Sequence, residues 1–178
     1  MSDIALELAK LHILFGADFI RQLRLIVSFK EFQFIEDGIY SAIGEGDDDF
    51  PSLMNAARKA VAHGYTVYIL PNPKGIRTAD FIFVRKGVYK MYDLKTISGD
   101  NSVDNRLIDA VGQTNRVLLN IVGKYSPTSL ARSVKHYFER NPSALEILIL
   151  RGKKSISVIR EDTLGSLYFK HFIRKYLN

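Results

Sequence analysis

The sequence predicts an α/β fold in which a helix, a three-stranded antiparallel meander, a second helix and a further strand follow one another along the chain. Three observations lead to this fold class. Apolar residues recur at helical spacing in segments that flank short runs rich in β-branched and aromatic residues. Two of these short runs enclose Lys86-Gly87, a typical two-residue hairpin turn. At 178 residues with 47% hydrophobic content, the chain is long enough for one well-buried domain.

Residues 1–50 are predicted to form a helical extension to a domain made by residues 51–178. Apolar residues recur at helical spacing over residues 4–27, and Gly16 interrupts them, which predicts one long or kinked amphipathic helix. An acidic loop, residues 44–49, leads into the domain. Its carboxylates either favour the start of the next helix or supply a metal ligand.

The domain is predicted to begin with a helix whose first turn contains Pro51 and which stops at Gly64. The later pattern alternates between strand and helix signals, with no internal repeat. The predicted strands are residues 65–70, the two arms around Lys86-Gly87, residues 145–150 and residues 155–160. The predicted helices after the hairpin are residues 103–122, 130–140 and 163–177.

Two carboxylates and a lysine lie on the predicted hairpin. A turn at Lys86-Gly87 sets the register so that Asp80 faces Asp93. Their Cβ atoms are then expected about 5 Å apart, a spacing from which both can hold one cation. Lys95 lies two residues beyond Asp93 and points to the same side of the strand. This face therefore presents a metal-binding pair and an ammonium group.

The same residues also fit a solvated hairpin with a cross-strand ion pair. Asp-x-Lys is a common combination in a chain with 19 acidic residues, so Asp93 and Lys95 alone do not distinguish the two interpretations. Because Asp93 and Lys95 lie within an ordered series of predicted helices and strands, the metal-binding interpretation is favoured over the solvated hairpin.

Positive charge is concentrated in the part of the chain that contains this motif. Residues 1–64 have 6 Lys or Arg against 10 Asp or Glu, whereas residues 65–178 have 19 against 9. A basic surface attracts polyanions through counterion release, which favours nucleic acid as the partner. The alternative is that the lysines and arginines only keep the domain soluble.

The absence of cysteine restricts the chemistry of any site. It excludes disulfides, thiolate zinc sites and a cysteine nucleophile. A metal must then bind oxygen or imidazole ligands, and oxygen ligands indicate Mg²⁺ or Mn²⁺. No apolar run approaches the roughly 18 residues that span a bilayer, and no signal-peptide pattern is present. We therefore expect a cytoplasmic protein without membrane insertion.

Five polar residues fall on one stripe of the predicted helix over residues 103–122. The stripe either follows a phosphate backbone or is the solvent-facing side of the helix. Its members are Arg106, Asp109, Gln113, Arg116 and Asn120. The candidate nucleic-acid contacts are Lys74, Arg77, Arg106 and Arg116.

The order of elements, with an acid opening the second strand and acid-x-Lys closing the third, resembles the PD-(D/E)xK nuclease superfamily. The resemblance covers residues 51–150. Within that superfamily, residues 64–71, 78–80 and 92–96 resemble the C-terminal toxin domains of bacterial contact-dependent growth inhibition proteins, several of which are tRNA nucleases.

The resemblance implies a restriction-endonuclease-like core and a Mg²⁺- or Mn²⁺-dependent endonuclease that hydrolyses phosphodiester bonds of RNA, such as tRNA, or of DNA. It implies Asp80 and Asp93 as metal ligands, Lys95 as the group that orients or activates the attacking water, and a role for Gln113. An immunity protein is the expected partner of a toxin, and a homodimer is expected of an enzyme that cuts both strands.

The chain departs from the family pattern at two places. Ala79 stands where the motif has proline, and the first helix lacks a glutamate facing the site. Glu45, with Asp48 and Asp49, is the nearest substitute as a metal ligand. An alternative function is therefore a catalytically inactive, nuclease-like protein that binds nucleic acid or a protein partner.

Overall fold

The protein is mixed α/β, which confirms the α/β class that the sequence predicts. The computed structural model describes residues 11, 16–28, 31–44, 46–72, 78–99, 103–111 and 114–178. These residues form eight strands and six helices, so there are more strands than the sequence predicts. The strands are β1 (Gln33–Glu36), β2 (Ile39–Ser41), β3 (Thr66–Ile69), β4 (Phe81–Arg85), β5 (Val88–Ser98), β6 (Arg116–Val122), β7 (Glu146–Arg151) and β8 (Lys154–Ile159). The helices are α1 (Gly16–Ser28), α2 (Phe50–Ala62), α3 (Val103–Ala110), α4 (Pro127–Arg140), α5 (Arg160–Leu164) and α6 (Tyr168–Leu177).

The chain forms two compact units, Met1–Asp93 and Leu94–Asn178. The boundary between the units falls inside strand β5, which continues without interruption to Ser98. The predicted division into an extension of residues 1–50 and a domain of residues 51–178 stays a prediction.

Strands β3, β4 and β5 form the predicted antiparallel meander. Lys86 and Gly87 both have positive φ, 51° and 75°, the combination that a type I′ hairpin turn requires. Arg85 pairs with Val88, as predicted. The local turn chemistry thus sets the register of the strands that contain the candidate site.

Strands β1 and β2 are absent from the sequence prediction. They pair antiparallel with each other, and β2 runs parallel to β3. Asp37-Gly38 forms the turn between them, with Gly38 at φ 80°. Asp-Gly is a strong hairpin signal, but strands of four and three residues are too short to show a clear two-residue period.

The two helices of the first unit pack on its strands. Helix α2 begins beside Pro51, as predicted, and packs against β3. Helix α1 buries Leu23 and Ile26 in a core cluster that includes Ile82 of β4 and Met91 of β5. The predicted N-terminal helix is confirmed from residue 16 onward, and most of the chain before it lies outside the described residues.

The predicted helix over residues 103–122 is wrong. Helix α3 ends at Ala110, and the following apolar segment forms strand β6, which pairs in parallel with β7. Residues 117–121 are all buried. A strand covered on both faces is continuously apolar, so its sequence lacks the two-residue period that would separate it from a buried helix.

The remaining elements of the second unit largely match the predictions. Strands β7 and β8 form the predicted hairpin, with a turn at Gly152-Lys153. Helix α4 begins after Ser126, whose side chain caps it by accepting a hydrogen bond from the Ser129 N–H at 3.3 Å. The predicted terminal helix is divided into α5 and α6 by residues 165–167. No helix in the described part of the chain has both the length and the apolar character needed to span a membrane.

Gly38→Ala is expected to lower the free energy of unfolding by about 1–2 kcal/mol. The backbone at φ 80° is strained for alanine, and the added Cβ would lie 3.0 Å from Cγ2 of Val61. Urea denaturation measures the change. The matched control is Gly46→Ala, where φ is not positive and no atom lies within 4 Å, so its stability should stay within about 0.5 kcal/mol of wild type. Equal stability of the two variants would contradict the geometry of this turn.

Candidate functional site

The entry to strand β4 places Asp80 beside strand β5. The ladder between the two strands ends with Phe81 opposite Tyr92. The Asp80 N–H donates to the Tyr92 carbonyl at 2.9 Å, and the Asp80 carbonyl accepts from the Leu70 N–H at 2.9 Å. Tyr92 thus contacts two successive residues of the other strand, as in a β-bulge. The predicted direct pair of Asp80 and Asp93 is therefore corrected to an offset arrangement at the end of the ladder.

The chain before Asp80 is anchored by burial. Thr78 is 9% exposed, and its hydroxyl donates to the Pro71 carbonyl at 3.4 Å. Ala79 is 2% exposed and lies in the same core cluster as Leu70. A small apolar side chain such as that of Ala79 suits this packed position.

Asp93 is the most buried acidic side chain in the first unit's described residues, at 1% exposure. Strand alternation places it on the same face as Met91, which packs in the cluster with Leu23 and Ile82. Its Oδ2 atom receives no hydrogen bond from the described residues, although Asp93 takes part in other interactions. An ionised carboxylate at this depth requires compensation by positive charge or hydrogen bonds.

Asp80 and Lys95 are both half-buried, and each has an interaction partner in the structure. Lys95 lies two residues after Asp93 on β5, so its side chain extends from the same side of that strand. Asp93 and Lys95 therefore lie on strand β5, and Asp80 lies directly before strand β4.

The carboxylates of Asp80 and Asp93 are the acidic groups near this hairpin that could bind a cation. The described residues contain no group of three or more His, Asp or Glu side chains arranged to hold a metal. Glu45, the predicted additional ligand, lies outside the described residues, as do Gln113, Lys74 and Arg77. The predictions for these four residues stay predictions.

The acidic loop before α2 is exposed at Asp48 and Asp49. Within the loop, the Asp49 N–H donates to Oδ1 of Asp47 at 3.0 Å. Asp49 occupies the N-cap position of α2 without a side-chain capping bond. The described part of the loop thus shows local turn contacts at the start of the helix.

The two described candidate arginines lie in different elements, so the predicted polar stripe on one helix is wrong. Arg106 is exposed on α3. Arg116 begins β6, and its Nε lies 3.2 Å from Oε2 of Glu146. Glu146 is 3% exposed and also accepts a hydrogen bond from Ser157 Oγ at 2.8 Å. Arg116 therefore neutralises a buried carboxylate within the second unit, and Arg106 is the more available of the two for a ligand.

A row of aromatic side chains on β1, β2 and β3 is absent from the sequence prediction. Phe34 pairs with Tyr40, and Tyr40 pairs with Tyr68. These three residues, which we call the aromatic row, share one face of the strands. The Asp37-Gly38 turn was the available signal, because it lies between two short apolar runs.

Comparison of the chain with protein-family models, with curated proteins and with solved structures gives no match.

Arg116→Met is expected to lower the free energy of unfolding by about 3 kcal/mol, because it leaves the Glu146 carboxylate buried without its cation. Thermal or urea denaturation measures the loss. Arg106→Met is the matched control on an exposed surface and should change stability by less than about 0.5 kcal/mol. If the two variants were equally stable, the structural role of Arg116 would be refuted.

Proposed function

We propose that the protein is a metal-dependent nuclease that hydrolyses phosphodiester bonds of RNA, such as tRNA, or of DNA. The observation that supports this function best is the deep burial of the Asp93 carboxylate on the central hairpin, with Asp80 at the adjoining strand end. A buried carboxylate in a low-dielectric surrounding interacts strongly with a bound cation. A divalent metal held by Asp93 and Asp80 would supply a catalytic centre at this position.

The two carboxylates fit Mg²⁺ or Mn²⁺. These ions favour oxygen ligands, and Mg²⁺ sites often contain one or two carboxylates, with waters and substrate phosphate oxygens completing the coordination. The bulge-like entry of β4 sets the position of Asp80 relative to Tyr92. Asp80 and Asp93 would therefore hold the ion, and Glu45 is proposed as a further ligand.

The metal, when bound, lowers the pKa of a water and offsets charge on the reacting phosphate. Lys95 is proposed to orient the attacking water and to stabilise the extra negative charge of the transition state through its ammonium group. Gln113 is proposed as a further polar group of the site. Lys74, Arg77 and Arg106 are proposed to bind the phosphate backbone, where each cation adds affinity without reading sequence.

The order of elements supports a restriction-endonuclease-like core for this function. Helix α2 precedes the meander of β3, β4 and β5, and helix α3 and strand β6 follow it. The excess positive charge of residues 65–178 supports a polyanionic substrate. A toxin domain of a growth inhibition system, with an immunity protein as partner, is the proposed biological setting.

A second candidate function is a catalytically inactive protein with the same architecture that binds nucleic acid or a protein partner. The absence of a group of three metal-binding side chains among the described residues favours it. Such a protein would bind nucleic acid equally well in manganese and in chelator.

Asp93→Asn is expected to reduce metal-dependent cleavage by at least about 100-fold, because it removes a negative ligand from the cation. The assay incubates total tRNA and plasmid DNA with each protein, in Mn²⁺ and in EDTA, and resolves the products on a denaturing gel. Asp37→Asn is the matched control, because Asp37 is exposed in the β1–β2 turn. Cleavage of either polymer by Asp93→Asn at the wild-type rate would refute the proposed site.

Manganese is expected to raise the melting temperature of the wild-type protein and not that of Asp93→Asn. At a concentration about 100 times Kd, binding adds about 2.7 kcal/mol, which is about 5–10 °C for a chain of this size. Differential scanning fluorimetry measures both shifts. An equal manganese shift in the two proteins would place the metal elsewhere.

A further inference from the structure

Strand β8 of the second unit pairs with β7 on one side, and no described strand pairs with its other side. The residues that flank the two-residue turn form the first hydrogen-bonded pair of this hairpin. Strand alternation then directs the N–H and C=O groups of Ser155, Ser157 and Ile159 away from β7. The N–H of Ile159 agrees with this direction, because it donates to Oδ2 of Asp162 at 2.9 Å. The backbone groups of Ser155 and Ser157 are therefore open to a further strand.

Residues of β8 and of helix α6 line a groove of about 390 Å³. Ile156 and Val158 of β8 and Phe172 of α6 contribute apolar side chains to it. Leu167, which also lines the groove, is 53% exposed, and nearby in sequence Leu164 is 76% exposed. Apolar side chains exposed beside a groove are typical of a surface that docks another protein.

The α6 side of the groove is basic. His171, Arg174 and Lys175 line it, and α6 contains no acidic residue. Within the described part of the chain, neither Arg174 nor Lys175 forms an ion pair with a carboxylate. Asp162 is the acid that lines the groove, and its Oδ2 already accepts the hydrogen bond from Ile159. The groove is therefore complementary to a partner with acidic side chains.

Two other occupants fit this surface less well. Antiparallel pairing of β8 with β8 of a second copy would bring the α6 helices of both copies to the same face, and their cations would repel one another. A polynucleotide would use the cations and leave the exposed leucines and the apolar side of the groove without a partner.

We propose that a partner protein donates an extended acidic segment, which pairs with β8 as an added strand and places every second side chain in the groove. In this mode of recognition, main-chain hydrogen bonds supply affinity, and pockets for alternate side chains supply specificity. Acidic side chains would contact Arg174 and Lys175, and apolar side chains would lie over Ile156 and Phe172. The inference concerns the second unit alone and does not depend on the proposed nuclease function.

The test selects binders from a displayed library of random short peptides, with the whole chain as the bait. Enriched peptides should alternate between acidic and apolar residues. A representative is synthesised, and fluorescence anisotropy measures its affinity. N-methylation of one alternate set of its backbone amides should abolish binding, and N-methylation of the other set should not, because only one set faces β8.

Ser157→Pro is expected to weaken peptide binding at least about ten-fold, because it removes an outward N–H from β8. Proline is tolerated on the open side of an edge strand, so the variant should fold. Ser157→Ala is the matched control. Both variants lose the hydroxyl that donates to Oε1 of Glu146, but only the proline variant loses the amide. The alanine variant should bind like wild type.

Charge reversal tests the basic side of the groove separately from the strand edge. Arg174→Glu combined with Lys175→Glu should weaken peptide binding at least about ten-fold and reduce its dependence on salt. Arg132→Glu is the matched control, because Arg132 is exposed on α4 and does not line the groove. It should bind the peptide like wild type.

The proposal is overturned if no peptide is enriched, or if the charge-reversed protein binds the peptide as tightly as wild type. Equal binding by Ser157→Pro and Ser157→Ala also overturns it. If Ser157→Pro dissociates a homodimer in sedimentation, the edge joins two copies of the chain instead. If charge reversal weakens binding of single-stranded RNA and leaves peptide binding intact, the basic side holds nucleic acid. Cleavage by wild type and by Asp93→Asn is measured separately, so failure of one proposal leaves the other standing.

Discussion

The register of the β4–β5 hairpin governs the arrangement of Asp80 and Asp93 in the first unit. Lys86 and Gly87 adopt the two positive φ values of a type I′ turn, and the strands pair outward from that turn. A shift of one residue would exchange the two faces of a strand. Met91 and Asp93 would then both leave the face that packs on Leu23 of helix α1. The turn thus sets which face of the hairpin carries Asp93.

Two deeply buried carboxylates among the described residues, Glu146 and Asp93, illustrate different uses of a buried charge. Glu146 receives the Arg116 guanidinium and the Ser157 hydroxyl, so side chains of its own unit compensate it. For Asp93, we propose a metal ion in the compensating role, with Asp80 as its second carboxylate. Under this proposal, Arg116 only stabilises the buried Glu146, whereas the metal ion at Asp93 would both offset a buried charge and take part in catalysis.

The sequence supports accurate prediction where local chemistry dominates. The Lys86-Gly87 turn, the Pro51 start of α2 and the β7–β8 hairpin were all predictable, because each depends on residues close in the chain. Strand β6 was mistaken for helix because its buried residues follow one another without a two-residue period, and its strand state depends on pairing with β7. The row on β1 and β2 was missed because the strands are short and are stabilised by β3.

By itself, the sequence determined the α/β class, the hairpin and the presence of Asp80, Asp93 and Lys95 on it, since these follow from turn chemistry and strand alternation. Only the tertiary structure decided how deeply Asp93 is buried, that Asp80 is offset by its bond to Tyr92, and that Arg116 is committed to Glu146. It also decided that Phe34, Tyr40 and Tyr68 form one surface. The physical reason is that burial, ladder ends and ion pairs depend on residues distant in the chain, whose positions local propensity does not specify.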